Sequence, residues 1–229
     1  MFLPTTIKEV EARGWDELDV IIFSGDAYID HPAFGPAVIG RILEAEGYRV
    51  AIVPQPNWRD DLRDFKKLGK PRLFFAVSAG AMDSMVNHYT ANLRLRSNDA
   101  YTPGGKAGFR PDRTVDTYTQ ILKKLYPHTP VVVGGIEASL RRLTHYDYWS
   151  NSLQRSILAT SGADLLIYGM GDKPIREVAK AMRNGFNMKL LRGLRQVGFL
   201  ADKEYVERLY NQSSKVLSSY EECVDDKVK

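Results

Sequence analysis

Apolar runs of strand character alternate with segments of helical periodicity along this chain, and that alternation limits its fold more than any other feature. The runs are Leu18–Phe23, Tyr48–Val53, Arg72–Val77, Pro130–Val133 and Ala163–Tyr168. Helical patterns fall at Ala33–Glu46, with Val38, Ile39, Ile42 and Leu43 on one face, and at Asp60–Leu68. Others fall at Thr114–Tyr126, with Tyr118, Ile121, Leu122 and Leu125 in register, at Ser152–Thr160 and at Pro174–Met182. Gly47 and Gly69 stand where C-terminal caps belong. Strands that alternate with helices build a parallel sheet covered on both faces. Near-continuous apolar strands are what such burial requires. The predicted fold is therefore α/β: a three-layer, Rossmann-like (flavodoxin-like) and mostly parallel five-stranded sheet. Its order, 2-1-3-4-5, is taken from the fold class.

Lys189–Leu200 is read as a sixth, edge strand. From Asp202 the pattern turns helical and polar and runs to Asp225-Asp226-Lys227-Val228-Lys229 without a cap. Residues 1–188 are thus expected to form the α/β domain, and 189–229 an edge strand and helical linker to a segment that follows. Between His88 and Arg113 lies a long stretch rich in Gly, Asn, Asp and Arg, and loops of that length are usually functional.

Composition removes several classes of function. No apolar run approaches the ~20 residues a membrane helix needs, and the start has no signal-peptide core, so the expected location is the cytoplasm. A net charge of +4 over 229 residues is too mild to indicate nucleic acid. The one cysteine, Cys223, permits no internal disulfide and no cysteine cage, and the four histidines lack zinc-site spacing. No metal site is expected, and no catalytic residue is assigned. Phosphate-loop, nucleophile-elbow and complete dinucleotide fingerprints are all missing.

The two ends of the strands differ. Connections entering strands are short and plain, such as Glu46-Gly47-Tyr48 and Ser161-Gly162. Connections leaving them are long and dense in Gly, Ser, Asp, His and Arg. Parallel α/β sheets bind ligands outside the carboxyl ends of their strands, so this rim is the expected site. Its candidate cofactor-binding residues are Gly25, Asp26, His31, Ser78, Gly134, Gly135, Glu137, Arg141, Arg142, Gly169, Gly171 and Asp172. Each has a plainer reading beside the functional one. The glycines could simply make tight turns. His31 could cap or hydrogen-bond locally. Arg141 or Arg142 could pair with Glu137 or Asp147, while Arg94, Arg96, Lys106, Arg110 and Arg113 stand in solvent or bind an anion through forked hydrogen bonds. His145-Tyr146-Asp147-Tyr148-Trp149 could be a small satellite core or a stacking surface.

Three strings carry a family resemblance: Asn87-His88-Tyr89-Thr90, then Asp99-Ala100-Tyr101-Thr102-Pro103-Gly104-Gly105, then Arg110-Pro111-Asp112-Arg113. So do Gly134-Gly135-Ile136-Glu137-Ala138-Ser139-Leu140-Arg141-Arg142 and His145-Tyr146-Asp147-Tyr148-Trp149. Over nearly its whole length the chain resembles the amino-terminal, cobalamin-binding-like domain of YgiQ-type radical S-adenosylmethionine (SAM) proteins. The resemblance implies a later barrel with a Cys-x-x-x-Cys-x-x-Cys motif, a [4Fe–4S] cluster and SAM, all outside this chain. It implies that the partners here are that barrel and a substrate of unknown kind. The family's base-off cobalamin pattern is Asp-x-His-x-x-Gly, whereas Asp30-His31-Pro32-Ala33-Phe34-Gly35 has those residue types at other spacing. A base-on mode using only the glycine turns stays open. The expected role is a non-catalytic domain that binds substrate or cofactor or covers the barrel's active site. The alternative is a stand-alone module for cobalamin, flavin or a nucleotide. A SAM-dependent transferase using His31 or Asp26 as base ranks last.

Overall fold

Each predicted strand run is a strand in the computed structural model, which describes residues 1–211 and 214–226. The chain enters through a capped turn of helix, α1 (Ile7–Glu11), then passes through β1 (Val20–Ser24), α2 (Gly35–Ala45) and β2 (Val50–Pro54). Next come α3 (Arg63–Lys66), β3 (Phe74–Ser78), α4 (Ser84–His88), α5 (Thr114–Leu125), β4 (Val131–Gly134) and α6 (Gly135–Leu140). A hairpin of β5 (His145–Asp147) and β6 (Ser152–Gln154) precedes α7 (Ile157–Ser161), β7 (Leu165–Ile167) and α8 (Asp172–Arg183). The chain closes with β8 (Val197–Gly198), α9 (Lys203–Leu209) and α10 (Tyr220–Asp225).

The main sheet has six strands in the order β2-β1-β3-β4-β7-β8, the first five parallel and β8 antiparallel to β7. This is the anticipated 2-1-3-4-5 order with an edge strand added. Side chains alternate across the sheet, as a strand's period of two dictates. Ile21, Phe23, Phe75 and Val133 join Phe65, Tyr118, Leu122 and Leu158 on one face. Val20, Ile22, Ile52 and Val132 join Leu43, Ile175, Val178 and Leu3 on the other. Helices α5 and α7 therefore cover one face, and α2 and α8 the other. At ~25 cal/mol per Å² of apolar surface, these two buried layers are the main source of stability.

Local chemistry moved several boundaries. The helix expected at Asp60–Leu68 shrinks to α3, because the carboxylates of Asp60 and Asp61 accept the N–H groups of Leu62 and Arg63, and Leu62 holds a left-handed φ of 60°. The helix expected from Ser152 starts only at Ile157. Ser152–Gln154 pairs with His145–Asp147 instead, and the Ser156 side chain caps the helix by accepting from Leu158 N. Pro54 ends β2 from inside the strand, which an edge strand tolerates. Of the expected edge strand Lys189–Leu200, only Val197 and Gly198 pair with the sheet; Met188–Gly193 is a 3-10 helix. The helical tail from Asp202 divides into α9 and α10, each begun by a side-chain cap, Asp202 and Ser219. Its expected end at Lys227-Val228-Lys229 lies outside the described residues. The stretch from His88 to Arg113 is not structureless. It contains the bridges Tyr89↔Leu95 and Asn98↔Lys106 and a 3-10 turn at Pro103–Gly105.

Candidate functional site

The carboxyl ends of β3, β4 and β7 open into a cleft of about 340 Å³, walled on the far side by the first turns of α2 and α8. Its floor is apolar: Ile22, Ala76, Val132, Val133 and Ile167. Its rim is made of Ser78, Gly134, Gly135, Gly169, Gly171 and Asp172, all candidates from the sequence, joined by Gly80, Pro36, Ile39 and Met170. Asp172 is the one charged side chain lining it among the described residues. No side chain caps the amino ends of α2 or α8, whose first turns line the cleft; Pro36 and Pro174 there carry no N–H, so Gly35, Ala37, Asp172 and Lys173 hold the donors of those turns.

Glycine is required at this rim for space as well as for turning. Gly135 has φ 83°, and a Cβ built on it would lie 2.6 Å from Ser78 Oγ. The Ser78 hydroxyl is engaged in the turn, accepting from Gly80 N at 3.1 Å. Likewise Ser139 Oγ accepts from Gly169 N at 3.1 Å, and Gln196 Nε2 donates to the carbonyls of Tyr168 and Met170. The β7 turn is thus held from α6 and from the edge strand. Gln196 was not legible as a site residue, since its contact comes from a distant segment. Met170, 78% exposed between two glycines, could have been suspected from its position alone.

Asp26, Glu137 and Arg141 lie outside the cleft, in buried networks under the long loop. Arg110, wholly buried, donates to Asp26 Oδ1 at 2.7 Å, to Asp99 Oδ2 at 3.1 Å and to the Ala79 carbonyl at 3.0 Å. Asp26 Oδ2 also accepts from Ala81 N at 2.6 Å. Gly80, at φ 108°, lies so close that a Cβ there would come within 2.1 Å of the Asp26 carboxyl carbon. Gly25 is pressed as tightly against the Ala79 carbonyl. One guanidinium is shared by two acids. Burial pushes Asp26 up against the pull of Arg110. For Asp99 burial is outweighed by the Tyr101 N–H and by Arg110, and its carboxyl titrates below the usual range.

Glu137 is buried completely. Its two oxygens accept from Ser84 N and Val115 N, both at 2.9 Å. Those N–H groups belong to the first turns of α4 and α5, so a carboxylate on α6 caps two helices far from it in sequence. Burial, and the charge of Asp83 after it, push the Glu137 carboxyl above the ordinary range. Arg141 pairs with Asp83 at 2.7 Å, not with Glu137 or Asp147. Asp147 takes Arg113 instead, at 2.8 Å. Arg142 is exposed, lies over the Tyr168 ring and donates to the Ser139 carbonyl. His31 is exposed outside the cleft, its Nδ1 accepting from Ala33 N at 3.1 Å. Asp26, Glu137 and Arg141 are therefore fold-holding groups here, and His31 keeps the local role that was its plainer reading.

A family model described as Radical SAM N-terminal matches residues 2–229. The chain belongs to that family. It is 63% identical over 228 residues to a UPF0313 protein of Porphyromonas gingivalis and 61% identical over 237 residues to one of Bacteroides thetaiotaomicron. It is 51% identical over 211 residues to one of Clostridium botulinum. The first two are matched by the whole of this chain, which spans only 36% and 38% of their length. Two structures of the radical SAM methyltransferase TsrM from Kitasatospora setae also resemble it. One has tryptophan substrate and a SAM analog bound, the other cobalamin and a [4Fe-4S] cluster. Each covers 73% of this chain at 19% identity and a TM-score of 0.46.

A radical SAM family member needs thiolates for its cluster, and this chain does not fit that demand. Cys223, on α10, is its only cysteine. Among the described residues no group of three His, Cys, Asp or Glu side chains could hold a metal ion. No described helix is long and apolar enough to cross a membrane.

Proposed function

We propose that this chain is the amino-terminal, non-catalytic domain of a radical SAM iron–sulfur enzyme, and that its glycine-rimmed cleft holds the flat, largely apolar part of a cofactor or substrate against the barrel that follows. The cleft carries the reading: it has an apolar floor, a rim rich in glycine and two uncapped helix ends, at the carboxyl edge of a parallel sheet. In that arrangement the [4Fe–4S] cluster and SAM belong to the remaining length of the protein, where they would supply the radical. Cobalamin would enter through the glycine turns, since His31 is not among the residues that line the cleft and its Nδ1 is taken by Ala33 N.

Titration of hydroxocobalamin and of FMN into the chain, alone and within the full-length protein, tests this reading. Binding of one of them, lost in Gly135→Leu, supports the cleft. Affinity unchanged in that variant would remove the cleft from the account. Micromolar binding to the isolated chain, with no change in rim hydrogen exchange when the barrel is present, would favour the stand-alone module. Reconstitution of the chain with iron and sulfide should give no cluster absorbance, and a stoichiometric cluster would sink the proposal.

A further inference from the structure

A second cavity, of about 790 Å³, lies on the other side of the rim, where the long loop meets the hairpin. Trp58 and Arg59, His88, Arg96, Asp112 and Trp149 line it, drawn from four separate stretches of chain. Two features of this lining are unexplained by the fold. The first is charge. Arg110 is neutralised by Asp26 and Asp99, and Arg113 by Asp147. Arg59 and Arg96, in contrast, donate only to the carbonyls of Gly108 (2.9 Å) and Tyr89 (3.2 Å), Arg59 also lying over the Trp58 ring, and no carboxylate among the described residues lies in ion-pair range of either. The second is a pair of orphaned polar atoms. His88 is 5% exposed and its Nδ1 contacts Asp112 Oδ1 at 2.7 Å, while its Nε2 is buried without a partner. Trp149 Nε1, on the same cavity, is buried without one too. Each such atom costs on the order of 1–3 kcal/mol unless something fills its bond.

The Asp112 carboxylate also takes the Tyr89 hydroxyl at 3.0 Å, so both its oxygens are hydrogen-bonded while its negative charge stays in the lining. In the neutral ring with Nδ1–H donating to Asp112, His88 Nε2 is an acceptor, and Trp149 Nε1–H is a donor. An occupant must then offer a donor and an acceptor at depth, and an oxyanion to two arginines. Against the single Asp112 carboxylate, two guanidinium groups leave this part of the lining net positive, which suits an oxyanion such as a phosphate monoester. The Arg59 guanidinium stacked over the Trp58 ring at 4.4 Å, with Trp149 at the other end of the lining, offers flat faces that favour a planar ring. We infer that this cavity is a second binding site, distinct from the cleft, for a ligand of nucleoside-monophosphate type, with a planar base carrying donors and a phosphate group.

The probe is AMP, titrated calorimetrically into the natural protein containing this chain, with inorganic phosphate titrated in parallel. AMP should bind saturably and more tightly than inorganic phosphate, and less tightly as salt is raised. The double variant Arg59→Gln/Arg96→Gln changes two exposed side chains and should keep its circular dichroism while weakening AMP at least roughly tenfold. Trp149→Phe keeps the ring and removes the N–H; it should weaken AMP several-fold, and the ¹⁵N resonance of His88 Nε2 should shift on AMP addition. No saturable binding at millimolar AMP would overturn the site. Phosphate binding as tightly as AMP would overturn its aromatic half. AMP affinity unchanged in the double variant would mean that AMP sits elsewhere, and would overturn it as well.

Discussion

The cleft and the buried charge network hang from the same strand ends, yet they are made of opposite materials. Where β3, β4 and β7 face α2 and α8, the rim is glycine, serine and apolar carbon, with Asp172 its one charged side chain among the described residues. Where the same turns face the long loop, it is Asp26, Asp83, Asp99, Arg110, Glu137 and Arg141, all buried and all engaged with one another or with backbone N–H groups. A polar group at a carboxyl rim is therefore not automatically a ligand contact. Here the charged residues spend their bonds holding 25 residues of irregular chain in place, and the open surface falls to residues with almost no side chain.

That contrast can be broken by experiment, and the charged side should break hardest. Arg110→Ala leaves Asp26 and Asp99 buried without their cation, and should cost about 3–5 kcal/mol in chemical denaturation. A loss near zero would mean that the long loop does not depend on the network. Glu137→Ala strips the cap from α4 and α5 together and should cost on the order of 2–4 kcal/mol, with hydrogen exchange rising at Ser84 and Val115. On the cleft side the effect should appear in binding as well as in stability, because Gly135 holds a left-handed φ and a Cβ there meets Ser78 Oγ. Gly135→Leu is expected to weaken the cleft's ligand at least roughly tenfold, or about 1.4 kcal/mol, in the same titration that first detects it.

Acidity separates the two regions further. Because burial raises the Glu137 carboxyl, the folded protein keeps a proton there that the unfolded chain, near its ordinary 4.5, has released. Stability should then fall as pH rises from about 4.5 through the raised folded value, and that part of the slope should vanish in Glu137→Gln. A slope unchanged by the substitution would assign it to other groups. The smallest effect is expected at the loop's outer tie. Tyr148→Phe removes a 2.8 Å bond to the Ala91 carbonyl and should cost about 1 kcal/mol or less, seen as faster exchange around Ala91.

Much of the scaffold could be read in the residues themselves. The five parallel strands are apolar on both faces, and runs such as Val20-Ile21-Ile22-Phe23 can hardly be anything else. Glycine turns placed directly after strands also pointed to the cleft rim, because glycine there answers a steric demand that acts locally. The division of the polar rim residues could not be read in the same way. Nothing near Glu137 in sequence announces that it will reach Ser84 and Val115, and nothing near Asp26 announces Arg110. The hairpin at His145–Gln154 was missed for a related reason. Strands of three residues with mixed polarity carry no period, and the ion pair that ties the hairpin to the loop, Asp147 with Arg113, joins residues far apart in sequence.

The pair between Asp26 and Arg110 spans 84 residues. A ribosome adding about 5–20 residues per second exposes Asp26 some seconds, roughly 4–17, before the residue that will neutralise it has been made. Through that interval the first strands can pair in register, but the carboxyl rim stays hydrated and unfinished. Of the sheet only β1, β2 and β3 precede Arg110 in the chain, while β4, β7 and the covering helices α5, α7 and α8 follow it, so a truncation between those two points would release a chain with neither a covered core nor a completed rim.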